Sequence, residues 1–213
     1  MVIALLCGCT AQPHDLVEMT PPTTFGASGD ALGPVQVKME TDRRPPIEHG
    51  SRKYPGRSYL GYNDLVEPTA VSLLRILSRD LQESGVASVA SLAPLDSGYV
   101  LFVQVDHLGA SYNDGIETLV PVLPTSAIAA KVAIRIRLID RVGRLFLEAD
   151  YGASDSTVAA MLTGIQETAA VTLARTIRNV IDQALPDIHA SVPAFWKRLG
   201  REPPRTGAPG GAR

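Results

Sequence analysis

Residues 131–151 read KVAIRIRLIDRVGRLFLEADY, and this stretch limits the possible fold more than any other. Val132, Ile134, Ile136 and Leu138 fall on one side of a period-two pattern, and Ala133, Arg135, Arg137 and Ile139 on the other. A strand collects the first set on one face, where a helix would scatter them. A second alternating run, GRLFLEADY, is joined to the first through Asp140-Arg141-Val142-Gly143. The pattern predicts an antiparallel hairpin with one dry and one wetter face.

The dry face needs a cover, and two segments have the spacing to supply it. Ala70, Leu73, Leu74, Leu77 and Leu81 recur at helical intervals after Glu67-Pro68, and Gly85 supplies a stop, so a helix is expected over 68–84. Ala169, Leu173, Ile177, Val180 and Ala184 form a second stripe. Thr163 and Gln166 have capping-box spacing at its start, and Pro186 sets its expected limit. Three further strands are expected. Val35, Val37 and Met39 alternate in 35–39; VASVASLA, 86–93, is a short strand; YVLFVQVDHL, 99–108, is a stronger one. Residues 154–163 fit either a loop or a short helical turn.

The element order is strand, helix, strand, strand, strand, strand, helix. The first three can form a right-handed crossover unit, and the hairpin extends the same sheet. The expected fold class is α/β (α+β), a two-layer sandwich of one mixed sheet covered by two amphipathic helices. Residues 34–192 make the single domain. Residues 10–33, rich in Thr, Pro, Gly and Ala, are expected as a flexible leash, and 193–213 as a tail, with Phe195 and Trp196 able to pack back. An exposed sheet edge could pair with another subunit, but no residue compels it.

The chain opens MVIALLCGCTAQ and uses cysteine nowhere else. Leu6-Cys7-Gly8-Cys9 resembles the cleavage motif of a bacterial lipoprotein signal: an aliphatic residue, two small residues, then the cysteine that takes lipid. Several acyl tails on Cys9 would give a stable anchor where one would be marginal. Two departures stand out: no Lys or Arg precedes Cys9, and only five apolar residues follow Met1. A start codon placed too far downstream would account for both. No later stretch approaches eighteen apolar residues, so no helix after the opening is expected to span a membrane. Net charge of −2 and a pI near 6.1 give no basic surface for nucleic acid.

No GxGxxG, P-loop, GxSxG or HExxH motif is present. His14, His49, His107 and His189 are scattered, with no ligand-like spacing, so neither metal nor cofactor is expected. Asp106, His107 and Ser111 lie together at the end of a strand and define the alternative of an envelope hydrolase. Asp140, Glu148, Asp150 and Asp155 are read as solvating the hairpin. The best interaction candidate is the long loop after the first strand. It carries Arg43, Arg44, Arg52, Lys53 and Arg57, interleaved with Tyr54, Tyr59 and Tyr62, and Arg and Tyr are favoured at interfaces.

The layout resembles the YajG-like family of bacterial envelope lipoproteins. VQVKMETDRRP, 35–45, stands where that family has a strand leading to an Asp-Arg-Pro-like segment. LSRDLQESGV, 77–86, matches its helix ending near a glycine, and 131–185 its long strands and final helix. The resemblance covers about residues 2–188. Auxiliary lipoproteins of ABC lipid-transport systems and of lipopolysaccharide assembly share the same order. The resemblance implies an envelope location, no enzyme activity and no catalytic residue; the one functional residue it carries over is lipidated Cys9. The resulting expectation is a non-catalytic binding or assembly factor, held by lipid at the periplasmic face of the outer membrane. Its partner would be another envelope protein or envelope component. A third possibility is a cytoplasmic α/β protein with a chance cysteine-rich start.

Overall fold

Val35 and Val37 are fully shielded and Gln36 and Lys38 are not, so the predicted alternation holds from the first strand, β1 (Val35–Asp42). The structure, a computed structural model, describes residues 13–50, 57–61, 63–113, 125–160 and 164–201. After β1 come a 3-10 turn (Pro46–His49), β2 (Arg57–Tyr59), α2 (Thr69–Glu83) and β3 (Ala90–Ser91). Then follow β4 (Tyr99–Asn113), β5 (Thr125–Asp140), β6 (Leu145–Ala160) and α3 (Ile165–Arg198); a short α1 (Leu16–Met19) precedes them all.

The sheet runs β3-β1-β4-β5-β6, with β2 pairing the far end of β4. β1 is parallel to both β3 and β4, whereas β4, β5 and β6 are successively antiparallel. The sheet is therefore mixed, and α2 is the crossover between the parallel strands β1 and β3. Leu101, Val103, Ile134 and Ile136 on its inner face meet Leu73 and Leu77 of α2 and Leu173 and Ile177 of α3 in one core, all essentially inaccessible. Each such side chain contributes about 1.5–3 kcal/mol by leaving water. The two-layer arrangement expected from the sequence is the one observed. The other face is open. On it Arg135 pairs with Asp150 (2.6 Å), and Arg137 reaches over the Phe102 ring to Glu40. Asp150 therefore neutralises a cross-strand arginine as well as facing solvent.

Several elements depart from the sequence expectation. β4 continues five residues past 108, and β6 runs through 154–160, the stretch that was ambiguous between loop and turn. The predicted strand 86–93 pairs with β1 only at Ala90 and Ser91, with a separate bridge from Ala87 to Leu32. Gly164 takes the N-cap position of α3 with no side-chain cap, and Thr163 of the expected capping box lies outside the described residues. α3 passes through Pro186 and Pro193 to Arg198. Both prolines face solvent, so the carbonyls of Asp182 and His189, which lose their helical donors, can be hydrated. Buried Leu185, Ile188, Val192 and Trp196 hold the helix together across these gaps. Phe195 and Trp196 do pack back, Phe195 against Phe146 with ring centres 4.7 Å apart.

The largest correction concerns the leash. Residues 13–33 lie on the domain: Leu16 and Thr20 are buried against the helices, and Leu32 exchanges main-chain bonds with Val86 and Ser88 (2.8 and 2.9 Å). Two arginines hold this segment. Arg79 of α2 donates to the carbonyls of Val17 (3.0 Å) and Thr20 (3.1 Å), and Arg178 of α3 to that of Pro21 (2.9 Å). Both converge on Asp80, which is wholly shielded: Arg79 Nε lies 3.0 Å from one oxygen and Arg178 Nη1 2.5 Å from the other. Proline and threonine composition hid this because the anchoring apolar residues are single and carry no period.

Candidate functional site on the open face of the sheet

An irregularity in β4 creates the site. The register with β5 slips between Val105 and His107, leaving Asp106 as the extra residue of a bulge. Before it, odd-numbered residues face the core; after it, even-numbered Leu108, Ala110 and Tyr112 do. His107, Gly109 and Ser111 are thereby aimed at the open face.

The segment after β1 is then pinned over this bulge. Arg43 N donates to the Val105 carbonyl (2.7 Å). The Arg44 guanidinium turns inward and grips both oxygens of Asp42 (2.8 and 2.6 Å), Thr69 Oγ1 (2.5 Å) and the Leu108 carbonyl (3.3 Å). Its side chain is 4% exposed, so of the predicted interaction residues Arg44 is a structural clamp and is not open to a partner. Pro45 and Pro46 lead into the 3-10 turn, which delivers Glu48. One Glu48 oxygen lies 2.8 Å from His107 Nδ1; the other accepts from Leu108 N (3.0 Å). Gly50 closes the turn at φ +97°, with its Cα face against Gly61; a Cβ there would sit 2.2 Å from Gly61 Cα.

The result is a shallow groove. Gly109, Ser111 and Ala129 form its floor, Glu48, Tyr59 and His107 one wall, and Lys131, Ser154 and Ser156 the other. Arg57 stands at its end, exposed. Arg43 is also exposed. Cys9, Arg52, Lys53 and Tyr54 lie outside the described residues. The carboxylate of Glu48 was missed in the sequence, because its partners lie some sixty residues on. The available signal was Pro-Pro-Ile-Glu-His-Gly, in which prolines and a glycine fix the direction of the acid between them.

The hydrolase constellation does not assemble. Ser111 Oγ donates to the Ala129 carbonyl (3.3 Å), and Asp106 accepts from Gln104 Nε2 (3.0 Å). The acid on His107 is Glu48. His107 and Ser111 share a strand face four residues apart, about 13 Å at 3.3 Å per residue, beyond nucleophile–base contact. Among the described residues no group of three His, Cys, Asp or Glu side chains could hold a metal.

Comparison with known proteins gives the fold a setting. No protein-family model and no curated protein matches the sequence. Among solved structures, protein XCC0632 from Xanthomonas campestris, of the DUF330 family, superposes with a TM-score of 0.53 at 12% identity, covering 84% of this chain and 96% of that one. The chain shares that protein's fold. A minor lipoprotein from Acinetobacter baumannii (TM-score 0.37, 12% identity, 72% and 92% covered) is similar more loosely. So is rare lipoprotein B from Shewanella oneidensis (0.32, 10%, 79% and 99%). Superpositions this loose fix no detail of role. The shared fold therefore rests on the Xanthomonas campestris protein alone, and nothing in the comparison singles out the YajG-like family.

The Arg44–Asp42 clamp has a pH signature. The hydrogen bonds from Arg44 hold the Asp42 carboxyl below its ordinary value, against the opposing effect of desolvation. A depressed folded-state value means that the stabilisation is complete above the unfolded value, about 3.9 for Asp, and is lost as pH falls through the folded value. Asp42→Asn is expected to be less stable than the unaltered protein at pH 7, and the gap to close as pH drops below that range. Urea midpoints of both proteins across the acid range check this; a gap independent of pH would contradict it.

Proposed function

We propose that the chain is a non-catalytic binding or assembly factor of the bacterial envelope, anchored through lipid on Cys9 at the periplasmic face of the outer membrane. The observation that carries the non-catalytic part is the state of the groove: His107 is held by Glu48, and Ser111 is turned to a main-chain carbonyl. The opening motif Leu6-Cys7-Gly8-Cys9 supports the anchor, and Thr10 after it favours export to the outer membrane over retention at the inner one. Arg57, exposed at the end of the groove, and exposed Arg43 are the contacts proposed for an envelope partner, joined by Arg52, Lys53 and Tyr54 of the same loop.

Photo-crosslinking amino acids at positions 43 and 57, in intact cells, test the binding role. A discrete envelope adduct from both positions, absent when the probe replaces exposed Val171 on α3, is the expected result. No adduct from either position, together with hydrolase activity abolished by His107→Ala, would favour the alternative.

A further inference from the structure

We propose that β6 is a homodimerisation edge, pairing antiparallel with β6 of a second copy of this chain about a two-fold axis near Gly152. The two ends of the sheet are treated very differently. β3 is two residues long and is followed by Pro94, which is how a sheet edge is normally blunted. β6 is sixteen residues long, and among the described residues no strand pairs with its outer side. It contains no Pro, Lys or Arg, and of its three acidic residues Asp150 and Asp155 are neutralised by Arg135 and Arg175.

Its main chain is presented outward. The Ser156 amide is bonded to Asp155 Oδ1 (2.8 Å) instead of to β5, which marks the outward-facing set. By period two, Ser154, Gly152, Asp150 and Glu148 belong to it. Gly152 has no side chain and is nonetheless exposed, so its main chain is open to solvent.

The occupant follows from the pattern of side chains along the strand. Outward-facing residues must pair with outward-facing residues, which fixes even with even. A two-fold at Gly152 sets Asp150 opposite Ser154 and Glu148 opposite Ser156; on the inner face Tyr151 meets Ala153. No like charges meet directly, a condition that an axis at Asp150 would violate. Asp150 is moreover already neutralised by Arg135. The strand can thus pair with itself without a like-charge clash, as an isologous interface requires. This inference does not rest on the anchored-factor reading, and its test is run without the lipid.

The full chain carrying Cys9→Ser, kept reduced, is sedimented over a wide concentration range. A mass rising from 22.7 kDa to twice that value is expected, with residues 148–156 gaining amide protection from hydrogen exchange as concentration rises. Ser154→Pro, which removes an outward donor, and Ser154→Lys, which guards the edge, should each weaken dimerisation by about tenfold or more. A monomer at every concentration overturns the proposal, including one that binds a different envelope protein along β6. A dimer indifferent to both substitutions, with no protection in 148–156, overturns it as well. Should either variant unfold, the concentration dependence of exchange in the otherwise unaltered chain decides alone.

Discussion

Asp80→Ala lowers the unfolding free energy by about 3–5 kcal/mol, the usual cost of deleting one partner of a buried ion cluster. Asp80 is wholly shielded and answers two guanidiniums, Arg79 and Arg178. Arg178 is itself only 9% exposed, and its further carboxylate, Asp182, is 37% exposed and also accepts from Thr23. Removing Asp80 leaves two cations in a poorly solvated space between α2 and α3. The same two arginines fasten residues 17–21 to the domain, so the loss is expected to have a local companion. Amides around Leu16–Thr20 should lose protection, and proteolysis should begin there. Urea unfolding with peptide-resolved hydrogen exchange checks both. An Asp80→Ala protein as stable as the original, with residues 13–33 still protected, would show that the cluster does not hold the segment.

Gly50→Ala is expected to cost about 2–5 kcal/mol, summing a left-handed backbone penalty of about 1–2 with overpacking of about 1–3. The added methyl meets backbone at Gly61, which has no side-chain freedom with which to yield. Gly61→Ala should cost less, because its Cβ would lie 2.9 Å from Gly50 Cα and its own φ is ordinary. The functional consequence is more specific than the loss of stability. Moving the 3-10 turn withdraws Glu48 from His107 and opens one wall of the groove. The ring resonances of His107 should shift in Gly50→Ala toward those of Glu48→Gln. Unchanged stability and an unperturbed His107 ring would contradict this role for the glycine contact.

The legible parts of the fold are those in which one period governs a long run of large apolar residues. Val132 to Leu138 announced β5, and the Leu73–Leu81 and Ala169–Ala184 stripes announced both covering helices. Where side chains become small the period vanishes: Gly152, Ala153, Ser154 and Ser156 continue β6 through main-chain pairing that leaves no apolar trace in the sequence. Pro186 was a reasonable stop for α3 on local grounds, overruled by the buried residues on either side of it. The site was less legible than the fold. Arg43 and Arg44 form a basic pair in the sequence, yet adjacent residues on an extended segment point apart, so one is exposed and the other is clamped inside. Glu48 meets His107 only through a bulge that slips the register by one residue, and no composition or spacing announces a bulge.

The proposed role turns on what happens at Cys9. Intact-mass and peptide mass spectrometry of the protein taken from its native cells reads this directly. The anchored account predicts a first residue of Cys9 carrying acyl and glyceride mass, and its disappearance in Cys9→Ser. A native chain that still holds residues 1–8 with an unmodified thiol at position 9 would contradict it.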